Sequence, residues 1–85
     1  MNISFTPIGW EDYQYWQQND KILHKRVNQL IKEISRTPFD GIGKPEPLKF
    51  DKSGSWSRRI NQEHRLVYQA FEGEIIILAC RFHYK

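Results

Sequence analysis

The spacing of apolar residues divides the chain into two helices followed by several short strands. Over residues 20–38, apolar side chains recur three or four positions apart, which predicts an amphipathic helix that ends near Thr37 and Pro38. A first helix is expected over about residues 7–18, because Thr6 can cap its free amides and proline suits the first helical position. The stripe of the second helix that we expect to face the core comprises Leu23, Val27, Leu30, Ile31 and Ile34.

The remaining apolar residues follow patterns typical of strands. A short strand is predicted over residues 2–5. After a loop rich in glycine and proline (39–47), strands are predicted over 56–61, 65–71 and 74–83, with a weaker one near 48–50. Glu72 and Gly73 suit a hairpin turn and residues 61–64 a second connection, so the last three strands should form an antiparallel meander. The predicted fold class is α+β, with two N-terminal helices packed on one face of a small, mainly antiparallel sheet.

Alternation along the last two strands assigns their side chains to the two faces of this sheet. Pairing about the hairpin turn brings Arg65 close to Arg81 or His83, and neighbouring cations are unfavourable unless an anion such as phosphate lies between them. The face expected to contact the helices carries Ile76, Leu78, Cys80 and Phe82 with Leu66, Tyr68 and Ala70. The opposite face carries Ile77, Ala79, Arg81 and His83 with Arg65, Val67 and Gln69.

The formal net charge of +3 is concentrated in the C-terminal half of the chain. Residues 1–42 contain five Lys and Arg against five Asp and Glu, whereas residues 43–85 contain eight against five. A basic half favours a polyanionic partner, which can be RNA, DNA or an acidic protein segment. An uneven soluble surface explains the charge equally well. Arg65 can likewise form a surface salt bridge to Glu63 or Glu72, and His83 can be a frayed terminal residue.

Length and composition narrow the classes of function. A chain of 85 residues suggests one domain, residues 1–85, with a single modest core. The one cysteine, Cys80, lies in an apolar run and is expected to be buried, so we expect no disulfide. The first residues do not resemble a signal peptide and no apolar run is long enough to span a bilayer, which favours a cytoplasmic protein without membrane contact. The three histidines lack metal-ligand spacing, and we expect neither a metal nor another cofactor.

One carboxylate in the loop before the sheet is unusual in its surroundings. Glu46 lies between Pro45 and Pro47, and Lys44 and Lys49 flank it. Proline restricts the backbone on both sides, so the loop should hold this carboxylate rigidly between two lysines. A generic surface loop offers no reason for such an arrangement.

Four motifs together resemble the YoeB-type toxins of the wider RelE-like group. They are GKPEPLK at 43–49, WSRRI at 56–60, EHRLVY at 63–68 and CRFHY at 80–84, and the resemblance extends over essentially the whole chain. Members of that group are toxins of toxin-antitoxin pairs that bind the ribosome and cut messenger RNA in the decoding site. The resemblance implies a RelE-like, microbial-RNase-like fold and a ribosome-dependent endoribonuclease that needs no metal.

The resemblance also implies which residues act. By position, the catalytic residues are Glu46, Arg65, His83 and Tyr84. Lys49 and Arg59 match basic positions expected to hold RNA, and Lys44 and Arg81 are expected to contribute to the same surface. The one departure is Lys85, which follows the His-Tyr ending and adds a charge near the site.

Self-cleavage of RNA through its 2′-hydroxyl needs a base, a group that stabilises charge, and an acid. Glu46 is expected to take the 2′-hydroxyl proton, Arg65 to hold the phosphate and His83 to protonate the leaving 5′ oxygen. The base and acid assignments stay open, because neighbouring lysines weaken Glu46 as a base and arginines oppose protonation of His83. Tyr84 either stacks on a base, helps to position the phosphate, or is a plain terminal aromatic residue.

The resemblance finally implies partners and leaves two competing functions open. The implied partners are messenger RNA, the 70S ribosome and a YefM-like (Phd/YefM) antitoxin that covers the active site, and a toxin homodimer is possible. One competing function is a toxin of the same fold that binds a protein target such as a DNA topoisomerase and cuts nothing. The other is an RNA-binding module without enzymatic activity, for which a basic sheet suffices.

Overall fold

The computed structural model describes residues 1–49 and 54–82. Two helices pack on one face of a five-stranded sheet with strand order β1-β5-β4-β3-β2. β1 runs parallel to β5 and all other neighbours are antiparallel, so the predicted fold class is confirmed. In chain order the elements are β1 (Asn2–Phe5), α1 (Pro7–Asn19), α2 (Lys21–Arg36), β2 (Glu46–Pro47), β3 (Trp56–Arg59), β4 (Arg65–Phe71) and β5 (Glu74–Ala79).

Both helices begin at a side-chain cap, and the predicted cap of the first helix, Thr6, is confirmed. Thr6 accepts a hydrogen bond from the Gly9 amide at 3.0 Å, and Asp20 accepts one from the Leu23 amide at 3.1 Å. These side chains satisfy amides that have no partner within the helix. The predicted stripe of α2 is confirmed, with its last four residues buried and Leu23 packed against them. Four charged side chains off this stripe are exposed, namely Lys21, Lys25, Lys32 and Arg36.

The start of α1 crosses β5 at very close range. The Thr6 amide donates to the Ile77 carbonyl at 3.0 Å, and the Thr6 hydroxyl donates to the Leu78 carbonyl at 2.9 Å. A Cβ atom at Gly9 would lie only 2.3 Å from the Ile77 carbonyl oxygen, so no other residue fits there without moving the helix. This crossing directs the rest of α1 over the chain that leaves β5.

The hairpin of β4 and β5 contains one irregularity that the sequence pattern does not predict. Tyr68 lies opposite Ile77, but the next pair joins Val67 to Ala79, so Leu78 is an extra residue on β5. Such an extra residue is a β-bulge, and it reverses the alternation of the strand from that point.

The bulge changes which residues of β5 contact the helices. Ile75 and Ile77 are fully buried in the core, whereas alternation counted back from Cys80 assigned that face to Ile76 and Leu78. The predicted faces of β5 were therefore wrong on the turn side of the bulge, whereas the predicted core face of β4, with Leu66, Tyr68 and Ala70, is confirmed. Beyond the bulge, Cys80 is buried in the core as predicted.

Candidate active site

The structure places Glu46 in the sheet, not in the loop before it as predicted. Glu46 lies in β2, an edge strand of two residues, and pairs with Ser57 of β3. Edge strands tolerate proline, which lacks the amide that a central strand needs, so the proline-rich sequence does not exclude a strand here. The weaker strand predicted near 48–50 lies at Glu46–Pro47 instead, and position 50 lies outside the described residues.

The strand register puts Glu46 and Arg65 on the same face of the sheet. Ser57 pairs with both Glu46 and Val67, and two residues along the strands Arg59 pairs with Arg65. Residues two apart on a strand share a face, and the residues between them contact the helices. We call the side of Glu46, Ser57, Arg59, Arg65 and Val67 the open face. Glu46 is separated from Arg65 by two strand spacings, roughly 10 Å, and by one two-residue step, roughly 7 Å.

Arg65 is held by main-chain carbonyls. Its Nη1 donates to the Asn61 carbonyl at 2.8 Å and to the His64 carbonyl at 3.2 Å. Within the described residues it forms no ion pair with Glu63 or Glu72, so the alternative interpretation of Arg65 as part of a surface salt bridge is wrong. Carbonyls orient the guanidinium without neutralising it, and Arg59 directly opposite adds a second positive charge. Together the two arginines favour an anion on the open face.

The turn that carries these carbonyls is fixed by its own first side chain. Asn61 Oδ1 accepts hydrogen bonds from the Glu63 amide at 2.8 Å and from the His64 amide at 2.7 Å. Asparagine commonly organises turns in this way. The position of Arg65 therefore follows from local turn chemistry as well as from the strand.

A buried arginine holds the connecting loop (residues 37–45) that leads to Glu46. Arg58 is fully buried, and its guanidinium donates to the carbonyls of Thr37, of Asp40 at 2.7 Å and of Ile42 at 3.1 Å. Its Nε donates to the Tyr68 hydroxyl at 3.2 Å. A buried charge needs such a set of partners, because desolvation would otherwise strongly destabilise the fold.

The sequence patterns assigned no role to Arg58. The signal was present, because alternation puts Arg58 on the face of Leu66 and Tyr68, where a charge requires partners. Burial raises the pKa of the Tyr68 phenol, which therefore stays protonated. Its hydroxyl donates to the Pro38 carbonyl at 2.6 Å and adds another bond to the loop.

The connecting loop also packs closely against α2 and β3. Gly43 adopts φ +83°, and a Cβ atom there would lie 3.0 Å from Leu30 and 3.1 Å from Arg58. Its carbonyl accepts from the Arg59 amide at 2.7 Å. Lys44 follows with φ +49° and is exposed, as is Lys49, so both predicted RNA-binding lysines lie at the surface on either side of β2.

The C-terminal segment (residues 80–82) is fastened to α1 where it leaves β5. The Cys80 amide donates to Asp12 Oδ2 at 3.0 Å, and the Trp16 indole donates to the Cys80 carbonyl at 2.7 Å. Arg81 does not join Arg65 on the open face as predicted, because β5 ends at Ala79. Its guanidinium stacks 3.6 Å from the centre of the Tyr15 ring.

Phe82 is held by His64 and by Arg65, the proposed phosphate-binding residue. Its amide donates to His64 Nδ1 at 2.6 Å, and its carbonyl accepts from the Arg65 amide at 3.1 Å. The Phe82 side chain is 53% exposed, so its predicted place on the helix-covered face was wrong. His83 and Tyr84 lie outside the described residues, and their proposed roles stay predictions.

Burial decides the charge states where α1 meets the C-terminal segment. Burial raises the pKa of the Asp12 carboxyl, while the Cys80 amide and Arg81 act in the opposite direction. Burial and the neighbouring Asp12 raise the pKa of the Cys80 thiol to about 12. Cys80 is therefore a neutral core residue and a poor nucleophile.

Across 1–49 and 54–82, no three or more His, Cys, Asp or Glu side chains are grouped to hold a metal ion. None of the helices described has the length and apolar character needed to cross a bilayer.

Comparison with known proteins identifies close relatives over the full length. Residues 5–84 match the family described as the YoeB-like toxin of bacterial type II toxin-antitoxin systems. Toxin YoeB of Synechocystis sp. is 62% identical over 85 residues, which cover 100% of this chain and 99% of the relative.

Solved structures agree with this similarity. The YoeB/ParE toxin from Agrobacterium tumefaciens has a TM-score of 0.94 and 46% identity, covering 99% of this chain and 100% of its own. The YoeB dimer from Staphylococcus aureus has a TM-score of 0.92 and the heterotetrameric YoeB-YefM complex from that organism one of 0.91. Each is 52% identical over 99% of this chain and 98% of the other.

Proposed function

This chain belongs to the YoeB-like toxins of bacterial type II toxin-antitoxin systems, and we propose that it is a metal-independent endoribonuclease that cuts messenger RNA in the ribosomal A site. The RNA's own 2′-hydroxyl attacks the adjacent phosphate, and the cut stops translation. The observation that carries this proposal is the register that puts the Glu46 carboxylate and the Arg59–Arg65 pair on one open face. A carboxylate beside two cations suits an RNA backbone, which offers a hydroxyl proton and a phosphate.

In the proposed reaction each group acts on a different atom of the RNA. Glu46 accepts the 2′-hydroxyl proton, since it is an exposed carboxylate on a strand that the connecting loop holds in place. Arg65 binds the phosphate while its negative charge increases, and its main-chain partners keep the guanidinium oriented as charge develops. His83 protonates the leaving 5′ oxygen, and Tyr84 stacks on a base or positions the phosphate.

The proposed RNA path runs along the basic residues around this face. Arg59 lies opposite Arg65, and Lys44 and Lys49 lie on either side of Glu46. Arg81 binds RNA at the edge of the site, where its stack on Tyr15 presents a planar cation at the end of α1. Contacts of this kind hold the phosphate backbone without selecting a base.

The proposed partners follow from the relatives and from the site. The S. aureus YoeB-YefM complex supports a YefM-like antitoxin that covers the open face, and the S. aureus YoeB dimer supports a homodimer. Because the proposed substrate is messenger RNA in the ribosomal A site, we expect the active toxin on the 70S ribosome in the cytoplasm. We propose that the antitoxin and the messenger RNA compete for the same arginines.

The test is cleavage of messenger RNA bound to purified ribosomes, with RNA ends mapped after a single turnover. Glu46→Gln keeps the size of the side chain but removes the base, and we expect a loss of roughly 10²–10⁴-fold. His83→Gln should show a comparable loss. Glu72→Gln changes an exposed carboxylate in the hairpin turn, remote from the open face, and should cut at the wild-type rate.

Other outcomes would identify the competing functions. Full cleavage by both the Glu46 and His83 variants would refute the proposed chemistry. Binding of RNA by the wild type without new RNA ends would indicate an RNA-binding module. Growth arrest without binding or cleavage of RNA would indicate a toxin that acts on a protein target.

A further inference from the structure

We propose that His64 is a positioning residue for the proposed catalytic C-terminus, because its neutral imidazole accepts a hydrogen bond from the Phe82 amide and fixes the backbone of the residue that precedes His83. This inference rests on the proposed function, since it takes His83 as a participant in cleavage. His64 itself touches neither the proposed phosphate nor the attacking hydroxyl. Its effect passes through the main chain of Phe82.

The hydrogen bond determines the protonation state of His64. Nδ1 lies 2.6 Å from the Phe82 nitrogen, which is a donor, so Nδ1 carries no proton. The ring is therefore neutral with its proton on Nε2, which lies 3.6 Å from Glu63 Oε1. His64 is 7% exposed, and the edge of its ring packs against Trp16, with the ring centres 4.7 Å apart. Packing and hydrogen bonding together hold one tautomer in one orientation.

The residue that His64 holds has a strained backbone. Phe82 has φ +67°, a left-handed conformation that is uncommon for a residue with a large side chain. Such a conformation persists only where surrounding contacts determine it, and it is often found at functional sites. Two adjacent residues supply these contacts, since His64 accepts from the Phe82 amide and the Arg65 amide donates to the Phe82 carbonyl. Arg65, the proposed phosphate ligand, and Phe82, the residue before His83, are therefore held in a fixed position relative to each other.

This arrangement predicts a response to pH. Protonation of His64 places a proton on Nδ1, so that two donors face each other and the Phe82 contact is lost. The charged groups around the ring are Glu63 on the turn, Asp12 on α1, and Asp20 and Arg81 in the cavity of about 410 Å³ that His64 lines. Arg65 follows His64 on β4.

The test compares two substitutions that differ in the hydrogen-bond acceptor. In His64→Asn the side-chain oxygen can take the place of Nδ1, whereas His64→Leu fills similar space and accepts nothing. We expect His64→Leu to lower kcat of ribosomal cleavage by about 10²-fold, since a small misplacement of a catalytic group has that effect. KM should change little, and His64→Asn should recover most of the lost kcat. His24→Leu and His24→Asn are the matched controls at a histidine that packs on Tyr13, and neither should change kcat.

A second measurement does not depend on cleavage. The hydrogen-exchange protection factor of the Phe82 amide should fall in His64→Leu and persist in His64→Asn. In the wild type it should also fall in acid, once Nδ1 carries a proton and no longer accepts from Phe82, while His64→Asn keeps it. This wild-type titration remains decisive if His64→Leu does not fold.

The two proposals fail in different ways. Equal kcat and equal Phe82 protection in the Leu and Asn variants would overturn the positioning role, as would wild-type protection that persists at acid pH. If His83→Gln cleaves normally while Phe82 behaves as expected, then the proposed chemistry fails and the contact of His64 with Phe82 remains.

Discussion

The connecting loop precedes Glu46 in the chain and the C-terminal segment precedes His83, but different chemistry fastens the two. The loop before Glu46 is held by the fully buried guanidinium of Arg58, whose partners are main-chain carbonyls and one phenol hydroxyl. The segment before His83 is held by Asp12, Trp16 and His64. The loop therefore depends on one strong donor, and the segment on several weaker contacts.

Because of this difference, the contacts of the connecting loop and those of the C-terminal segment differ in their sensitivity to pH. A guanidinium keeps its proton at every pH at which proteins fold, and carbonyls do not titrate. A carboxylate and an imidazole both titrate, so acid alters the contacts of the C-terminal segment and leaves those of the loop unchanged. We infer that the Arg58 contacts of the loop before Glu46 are constant across pH, whereas the contacts of residues 80–82 change in acid.

The largest effect is expected where the loop loses the Arg58 guanidinium. Arg58→Met keeps the apolar stem and removes the guanidinium, which leaves the loop carbonyls and Tyr68 without that partner. Three partly buried carbonyls and the buried Tyr68 hydroxyl then lose a donor at once, and the buried stem keeps no charge, so the free energy of unfolding should fall by about 3 kcal/mol or more. Urea denaturation measures the change. Arg59→Met, at the exposed neighbouring position, should alter stability by less than about 0.5 kcal/mol, and equal losses at both sites would contradict the role of burial.

An intermediate effect is expected at the anchor of the C-terminal segment. Trp16→Phe keeps an aromatic ring in the core but removes the indole donor from the Cys80 carbonyl. A buried carbonyl without a partner should lower the free energy of unfolding by about 1–3 kcal/mol. Trp10→Phe is the matched control, since Trp10 is 47% exposed. A larger loss of unfolding free energy in Trp10→Phe than in Trp16→Phe would show that packing of the indole ring, not the hydrogen bond to the Cys80 carbonyl, determines the effect of these substitutions.

The smallest effect is expected from the charge of Asp12, and it depends on pH. Because burial raises the pKa of this carboxyl above its ordinary 3.8, the folded chain holds the proton more tightly than the unfolded chain does. The ionised form is therefore destabilising above the folded-state pKa, and this cost disappears as the pH falls below the unfolded value. Asp12→Asn has no charge and can still accept from the Cys80 amide.

Relative to the wild type, Asp12→Asn should consequently gain stability at neutral pH and lose that gain in acid. Thermal unfolding of both proteins at about pH 7 and about pH 3 measures the difference. An advantage of Asn that increases in acid would mean that the bond from Cys80, not burial, controls this carboxyl.

Local patterns in the sequence were sufficient for the helices and the hairpin. The caps at Thr6 and Asp20 and the stripe of α2 act within a few residues, so their bounds follow from neighbouring side chains. The turn at Glu72 and Gly73 follows for the same reason, with Gly73 at φ +80°. The candidate site was also predicted in part, because the motifs name Glu46, Arg59 and Arg65, which the strand register puts on one face.

Contacts between distant segments determined the rest. The bulge at Leu78 depends on the fit of β5 between β4 and α1, and alternation in one strand does not contain that information. Burial of Arg58 depends on carbonyls 16 to 21 residues away, and the bond from Phe82 to His64 spans 18 residues. The sequence thus specified which residues are proposed to carry the chemistry, whereas long-range packing and hydrogen bonding specified what holds the described ones in place.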